Sequence, residues 1–342
     1  MKTPHRLHRS IINGLLLIGL TSSHGLGYMD DEQAKDTRDP RLISSVEMPG
    51  YTMSVEVVGG YAYVGHHGGM QIFDVRNPAS PQMIGELKTD RGQIHQIRVV
   101  GREAYLAGGF GGLLIVDISR PCCPKLIGSY DGIGEVKGVA VLGNTVYTSG
   151  NGRGVIAFDV SDSSAPKILG QRPMEQSAPY IAIEGTTGYV GDRRTGLAVF
   201  DLTKPSHVKL VSTTRTADEA FGIAVQGTTV YIGDQDTGVT IMDASEPKRP
   251  ILLSTVELPG FAYSVEIVGT TLYVADSDAG IYVFDVINPR SPIQIDHIDT
   301  AGRAFEICVV GRYGYVADGD GGLQVIDFRK KKKRVPIVMP TN

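Results

Sequence analysis

The sequence predicts an all-β fold: a seven-bladed β-propeller with four antiparallel strands per blade and a ring closed by an N-terminal strand. Three periodicities predict it. Tyr63, Tyr105, Tyr147, Tyr189, Tyr231, Tyr273 and Tyr315 recur every 42 residues, and Gly59, Gly101, Gly143, Gly185, Gly227, Gly269 and Gly311 keep the same period four residues earlier. Asp74, Asp117, Asp159, Asp201, Asp243, Asp285 and Asp327 follow, at one interval of 43 and five of 42. A fixed period in this range marks a repeat architecture of about seven supersecondary units.

Each unit divides into four strands, as residues 261–300 show. Strand A is FAYSVEIVG, in which Val265 and Ile267 alternate with Ser264 and Glu266. A turn at Gly269 and Thr270 leads to strand B, TLYVAD. A loop from Ser277 to Gly280 leads to strand C, IYVFDV, and the turn NPRSP leads to strand D, IQIDHI. These runs are rich in Val, Ile and Tyr and bounded by Gly, Pro, Asn and Asp, the composition of short strands and their turns. Apolar spacing of three and four over a helix-length window is absent. Four strands in about 40–45 residues form one propeller blade.

Trp is absent, so the chain has no WD-type signature. Strand C reads instead QIFDV, LIVDI, IAFDV, AVFDL, TIMDA, YVFDV and QVIDF, mostly with a Pro-containing turn after it. This pattern resembles the LVIVD repeat family over residues 40 to about 328. The resemblance implies a propeller that works outside the cytoplasm, and it implies little about activity. The run Lys330 to Arg334 departs from the family pattern by replacing the usual turn in the last unit.

An open row of blades leaves strand edges and an unburied face, so the ring must close. Pro40-Arg-Leu-Ile-Ser lies 84 residues before Pro124-Lys-Leu-Ile-Gly, two periods away, and reads as a strand D with no blade in front of it. Residues 41–48 are therefore expected to complete the last blade beside Leu323–Asp327. VPIVM at 335–339 is the alternative occupant of that place.

The expected organisation is a signal peptide at 1–27, an N-terminal segment at 28–39, the propeller at 40–328 and a basic tail at 329–342. Lys2, Arg6 and Arg9 precede the apolar run IINGLLLIGL, which is too short to span a bilayer, and Gly25-Leu26-Gly27 offers a cleavage site. An uncleaved anchor is the alternative. No Cys follows the apolar run, so lipoprotein anchoring is excluded. Removal of 1–27 leaves 30 basic against 37 acidic residues, a charge of −7, which argues against non-specific nucleic-acid binding. The mature chain is expected to be a secreted, periplasmic or cell-surface monomer with no transmembrane segment. Cys308 reads as a small buried residue, and Cys122-Cys123 as two free thiols or a strained vicinal disulfide. The Lys330–Arg334 run reads as a solvated tail or a docking patch for an acidic surface.

Variation between copies points to candidate sites, since structural positions should recur from blade to blade. The B–C loops read HHGG, AGGFGG, GNGRG, GDRRTG, GDQDTG, ADSDAG and ADGDGG. The last three place Asp234 with Asp236, Asp276 with Asp278, and Asp318 with Asp320 in a DxDxG form. Short carboxylates two apart could converge on calcium, although no distal Glu follows at the spacing of a full calcium loop. Alternatively each Asp caps its own turn. His66 and His67 are an adjacent pair on the same rim, solvated or ligating.

The entry to strand A is the second variable ring. It carries Tyr51, Gln93, Glu135, Ser177, Glu219, Phe261 and Arg303, and two residues on, Met53, His95, Lys137, Pro179, Phe221, Tyr263 and Phe305. His95, Glu135, Glu219 and Arg303 are the candidate acid–base and anion-holding groups, and Tyr51, His66, His67, Lys137 and Tyr263 the candidate ligand contacts. A water-filled polar funnel is the alternative. GIGEVKG at 132–138 lacks the helix that a phosphate-cradling loop needs, and no GxSxG, HExxH or Walker motif occurs.

Two functions fit. One is a binding or scaffolding propeller that holds an extracellular protein or glycan at its loop face. The other is a channel-mouth enzyme, a lactonase-like hydrolase or a polysaccharide lyase. Propellers support both, so fold alone does not choose.

Overall fold

The computed structural model describes residues 39, 41–174 and 179–329. The expected signal peptide, almost all of the 28–39 segment, the basic tail beyond Arg329 with VPIVM, and Ser177 lie outside the described residues. Seven antiparallel sheets form a β-propeller, and a single 3-10 turn, Pro205–His207, is the one helical element among the described residues. Strand A is innermost. The seven A strands are Thr52–Val58, Gln96–Val100, Glu135–Leu142, Ile181–Glu184, Ile223–Gln226, Ser264–Val268 and Glu306–Val310, blades 1 to 7 in order. Blade 1 departs from the four-strand pattern: Tyr61–Asp74 runs as one extended element through both the B and C positions.

Leu42–Val46 pairs antiparallel with Leu323–Asp327, so the N-terminal strand supplies the outer strand of blade 7. Arg41, 4% exposed, clamps this closure. Its Nε donates to Asp39 Oδ1 at 2.9 Å, its Nη2 to Asp39 Oδ2 at 2.6 Å and to the His297 carbonyl at 2.7 Å, and its Nη1 reaches Asp296 of blade 6.

The periodic residues do the repeated work. Seven apolar clusters fill the seven blade interfaces, and one periodic tyrosine enters each. Tyr147 of blade 3 packs with Ile181, Val190 and Phe200 of blade 4, and Tyr315 of blade 7 packs with Val55 and Phe73 of blade 1. Six of the seven rings are buried, that of Tyr147 with 0% exposure, and Tyr273 is half-buried against its cluster, so the tyrosines pack in the blade interfaces. The Tyr147 hydroxyl donates to the Leu202 carbonyl at 3.4 Å.

The seven aspartates share one task. Each accepts, through Oδ1, the backbone N–H two residues on: Arg76, Ser119, Ser161, Thr203, Ser245, Ile287 and Arg329, at 2.8–3.1 Å. This Asx-type bond starts the C–D turn by satisfying a donor that leaves the sheet.

A β-bulge recurs between strands C and D, at Ile72/Phe73, Ala157/Phe158 and Val283/Phe284 for example. Beside the bulge, one paired D-strand residue lies against the C–D turn of the next blade. At Gly85 a Cβ would lie 2.0 Å from the Pro121 carbonyl oxygen, so only glycine fits. At the same place Ser254 donates to the Pro289 carbonyl at 2.6 Å. Close backbone approach and a hydroxyl bond are two solutions to one contact.

Two measurements test this account. Tyr147→Ala should lower unfolding free energy by about 3–5 kcal/mol, as for other large-to-small core changes, and Tyr147→Phe by no more than about 1 kcal/mol, because only one long hydrogen bond is lost. Arg41→Ala leaves Asp39 buried without its guanidinium and should cost about 3 kcal/mol in urea denaturation; an unchanged midpoint would show that the closing strand holds without its clamp.

Candidate functional site

The entries of the A strands form one mouth of the central channel, and two kinds of chemistry divide it. Blades 5, 6, 7 and 1 contribute an arc of rings. Phe221 and Phe261 are 4.9 Å apart edge to face, Phe261 stacks on Tyr263 at 4.3 Å, Tyr263 meets Phe305 at 4.5 Å, and Phe305 meets Tyr51 at 5.2 Å. Offset and edge-to-face contacts at such distances are favourable beyond area burial. Arginines stand at both ends. Arg193 lies 5.1 Å over Phe221 and pairs with Glu219, while Arg303 stands near the Tyr51 hydroxyl and pairs with Asp278 at 2.9 Å.

Blades 2 and 3 are polar. His95 Nε2 lies 3.6 Å from Glu135 Oε1, and Lys137 Nζ lies 3.5 Å from Glu135 Oε2. Asn151 also donates to Glu135. Burial, reinforced by the Lys137 charge, pushes the His95 imidazolium down to about 4, so the ring is neutral near pH 7. The four candidate acid–base residues thus fall into three separate pairings. His95 shares Glu135 with Lys137, Glu219 is held by Arg193 and Arg303 by Asp278. Arg303 is tied to Asp278 on the neighbouring blade and forms no ion pair with Glu135 or Glu219.

The other predicted residues are placed as follows. His66 is buried, with Nδ1 against the His67 carbonyl at 2.9 Å, and burial lowers its pKa, whereas His67 faces solvent. The neighbours point to opposite sides of an extended strand and do not act as a pair. In the DxDxG loops the first aspartate is buried and the second exposed. Asp234 Oδ2 accepts the Ala217 N–H at 3.1 Å and the Thr240 hydroxyl at 2.8 Å. Asp276 accepts the Gly260 N–H at 3.0 Å, and Asp318 accepts the Gly302 N–H at 2.7 Å and the Thr300 hydroxyl at 2.6 Å. These carboxylates tie the B–C loop to the preceding D–A loop, 16 to 18 residues back, rather than capping their own turn. Burial raises Asp276 and Asp318 to about 6. The carboxylates of each loop diverge, and no group of three His, Cys, Asp or Glu side chains that could hold a metal occurs among the described residues. Cys122 and Cys123 are exposed free thiols with Sγ atoms 3.1 Å apart, and Cys308 is half-buried.

Deeper in the channel lies a cluster that inspection of the strand entries missed. A cavity of about 440 Å³ is walled by A strands of every blade. At one repeat position stand Glu56, Arg98, Ala140, Ala182, Ala224, Glu266 and Cys308, 42 residues apart. Charge gathers on blades 1, 2, 6 and 7, and alanine opens space on blades 3, 4 and 5. Arg98 Nη1 lies 3.1 Å from Glu56 Oε2 and 3.7 Å from Glu306 Oε1. Glu306 Oε2 accepts the Val55 N–H at 3.1 Å, and Glu266 Oε2 accepts the Val309 N–H at 2.8 Å, each bond crossing a blade interface. Burial, reinforced by neighbouring carboxylates, raises Glu306 to about 7 and Glu266 to about 8. The 42-residue spacing would have exposed this ring had it been followed two or three residues further into the strand.

The family model described as LVIVD repeat matches seven times, at residues 49–89, 91–132, 133–171, 177–216, 218–257, 259–300 and 301–328. The chain belongs to the LVIVD repeat family. Among solved structures it is similar to the WD40 domain of Neurospora crassa Pan2, at 13% identity, 86% coverage of this chain, 97% of that chain and a TM-score of 0.68. It is also similar to the computationally designed Ika8 protein, at 10% identity, 84% and 99% coverage and a TM-score of 0.63. At these identities the likeness shows the fold alone. No match was found among curated proteins. In this LVIVD-repeat protein no helix of the described residues is long and apolar enough to cross a membrane.

The deep carboxyls make a pH prediction. A carboxyl raised from 4.5 to about 8, as Glu266 is, stabilises the fold fully below pH 4.5, and that contribution is lost as pH rises through 8. Glu266→Gln should leave the melting temperature at pH 5 unchanged and raise it at pH 8.5. Parallel melting curves across this range would show that Glu266 is charged throughout.

Proposed function

We propose that this protein is a secreted or cell-surface binding propeller that holds an extracellular protein or glycan segment across the aromatic half of its channel mouth. The observation that carries this is the continuous arc Phe221, Phe261, Tyr263, Phe305 and Tyr51 with an arginine at each end. Aromatic side chains offer large contact areas at low cost in conformational entropy, and stacked rings are already fixed before a ligand arrives. Arg193 and Arg303 add donors for the polar groups of a peptide or sugar. The arc joins four blades of a closed ring, so its geometry is set by the scaffold and not by a loop of its own. The extracytoplasmic placement rests on the charge and apolar pattern of residues 1–27, and a monomer fits a mouth assembled within one chain.

The hydrolase or lyase function would have to act at His95 and Glu135, where a neutral imidazole lies beside a carboxylate, because Glu219 and Arg303 are paired elsewhere. Soluble polysaccharides and extracellular-protein peptides titrated into purified protein distinguish the two. Replacing Phe261 and Tyr263 together by Ala should weaken binding by about 2 kcal/mol or more, the loss typical of a central aromatic contact, with His95→Ala nearly silent. Turnover of a bound polysaccharide that His95→Ala abolishes would replace the binding function with the enzymatic one.

A further inference from the structure

We propose that the channel interior is a second ligand site, distinct from the mouth, which takes a small organic ammonium cation. Glu56, Glu266 and Glu306 surround it with a single guanidinium, Arg98, which Glu56 already neutralises, so an anion would find no free positive group there. Arg98 is already occupied by Glu56, Glu306 and the Ile97 carbonyl, the last at 2.7 Å. Glu266 and Glu306 each give one oxygen to a backbone N–H across a blade interface, which fixes the carboxyls in place.

The Ser264 hydroxyl supplies an independent sign of a missing partner. Ser264 lines the cavity, is 7% exposed, and its Oγ has no hydrogen-bond partner. A buried hydroxyl without a partner is costly, and a ligand donor would satisfy it. An ammonium group carries three N–H donors and no acceptor, which suits Glu266, Glu306 and Ser264 together. Across the channel, Ala140, Ala182 and Ala224 leave room for a short apolar body, and about 440 Å³ lies within the range of small-molecule sites.

Groups facing Glu266 are Glu306 and Cys308 on blade 7, Arg98 on blade 2, Glu56 on blade 1 and Tyr273 on its own blade. The facing strand of blade 5 offers Gly222 and Ala224 and no charge. Glu266 and Glu306 hold protons near neutrality, as their raised values indicate. Binding a cation would therefore expel at least one carboxyl proton to buffer, leaving carboxylate against ammonium.

The experiment is calorimetric titration of the full chain with n-butylamine and 1,4-diaminobutane, with 1-butanol and butyrate as the neutral and anionic counterparts. Amine affinity should rise about tenfold per pH unit between pH 6 and 8, the slope of one released proton, with proton release visible as a dependence of heat on buffer. Glu266→Gln keeps an oxygen for the Val309 N–H, and should remove most of the pH slope and weaken binding at pH 8 at least tenfold. Ala182→Leu, which fills the opposite wall, should abolish binding, while the Phe261 and Tyr263 double variant should leave it intact. Equal binding of butanol, a pH-independent affinity, no amine binding at pH 8 or full binding by Ala182→Leu would each overturn the proposal. Loss of amine binding in the mouth variant would place the amine at the aromatic arc instead.

Discussion

The fold depends on the blade interface. A four-stranded sheet has two faces to bury and no helix to cover them, so each blade is stable only between two neighbours. Seven copies of one interface therefore succeed or fail together, and the last must join the first. The periodic tyrosine, the apolar residues around it and the D-strand residue beside the bulge are the recurring parts of that interface. Leu42–Val46, added to blade 7, lets the ring close through backbone hydrogen bonds as well as side-chain packing.

Closure also explains where chemistry can vary. Outward from the channel, strands B and C are committed to the interfaces, and their residues repeat. The A strands contribute one edge to the channel, where neighbouring copies meet at an angle instead of packing face to face. Residues there are released from the interface constraint, and the mouth and the interior have each diverged blade by blade. The result is asymmetric. Four blades, 5, 6, 7 and 1, supply rings at the mouth, and four, 6, 7, 1 and 2, supply charge or sulfur inside, so blades 6, 7 and 1 serve both.

The architecture was legible because it is written seven times. One tyrosine or aspartate says little, but seven in register identify the interface and the turn. The closing strand was legible for the same reason, since Pro40 falls on the register of Pro124 and Pro166. The sites were less legible because what is used once leaves no periodic mark. His66 looked like a loop residue beside His67, yet the strand of blade 1 runs on through it and buries its ring. Asp234, Asp276 and Asp318 read as their own turn caps or as cation ligands. Their partners lie in the preceding D–A loop, a contact that requires the blade to be assembled. Glu56, Arg98 and Glu266 were in register all along, but three alanines and a cysteine at the same position hid the ring from an eye set on polar rims. Glu219 and Arg303 were placed on the mouth by register, and only distances show that each is spoken for by a close neighbour.

The antiparallel pairing at the seam sets how the ring responds to force. Leu42 lies opposite Ile326 and Val46 opposite Leu323, so the chain enters and leaves the seam at the same end. Tension between the N-terminal segment and the C-terminal tail would load this ladder as a zipper, one pair at a time, and not in shear across all pairs at once. The first resistance would come from Arg41, which grips Asp39 beside the entering strand and Asp296 and the His297 carbonyl on blade 6. Opening under load is governed by the barrier to unfolding and not by equilibrium stability. A ring tethered at one end and pulled at the other would therefore yield at its seam, with six blades still stacked.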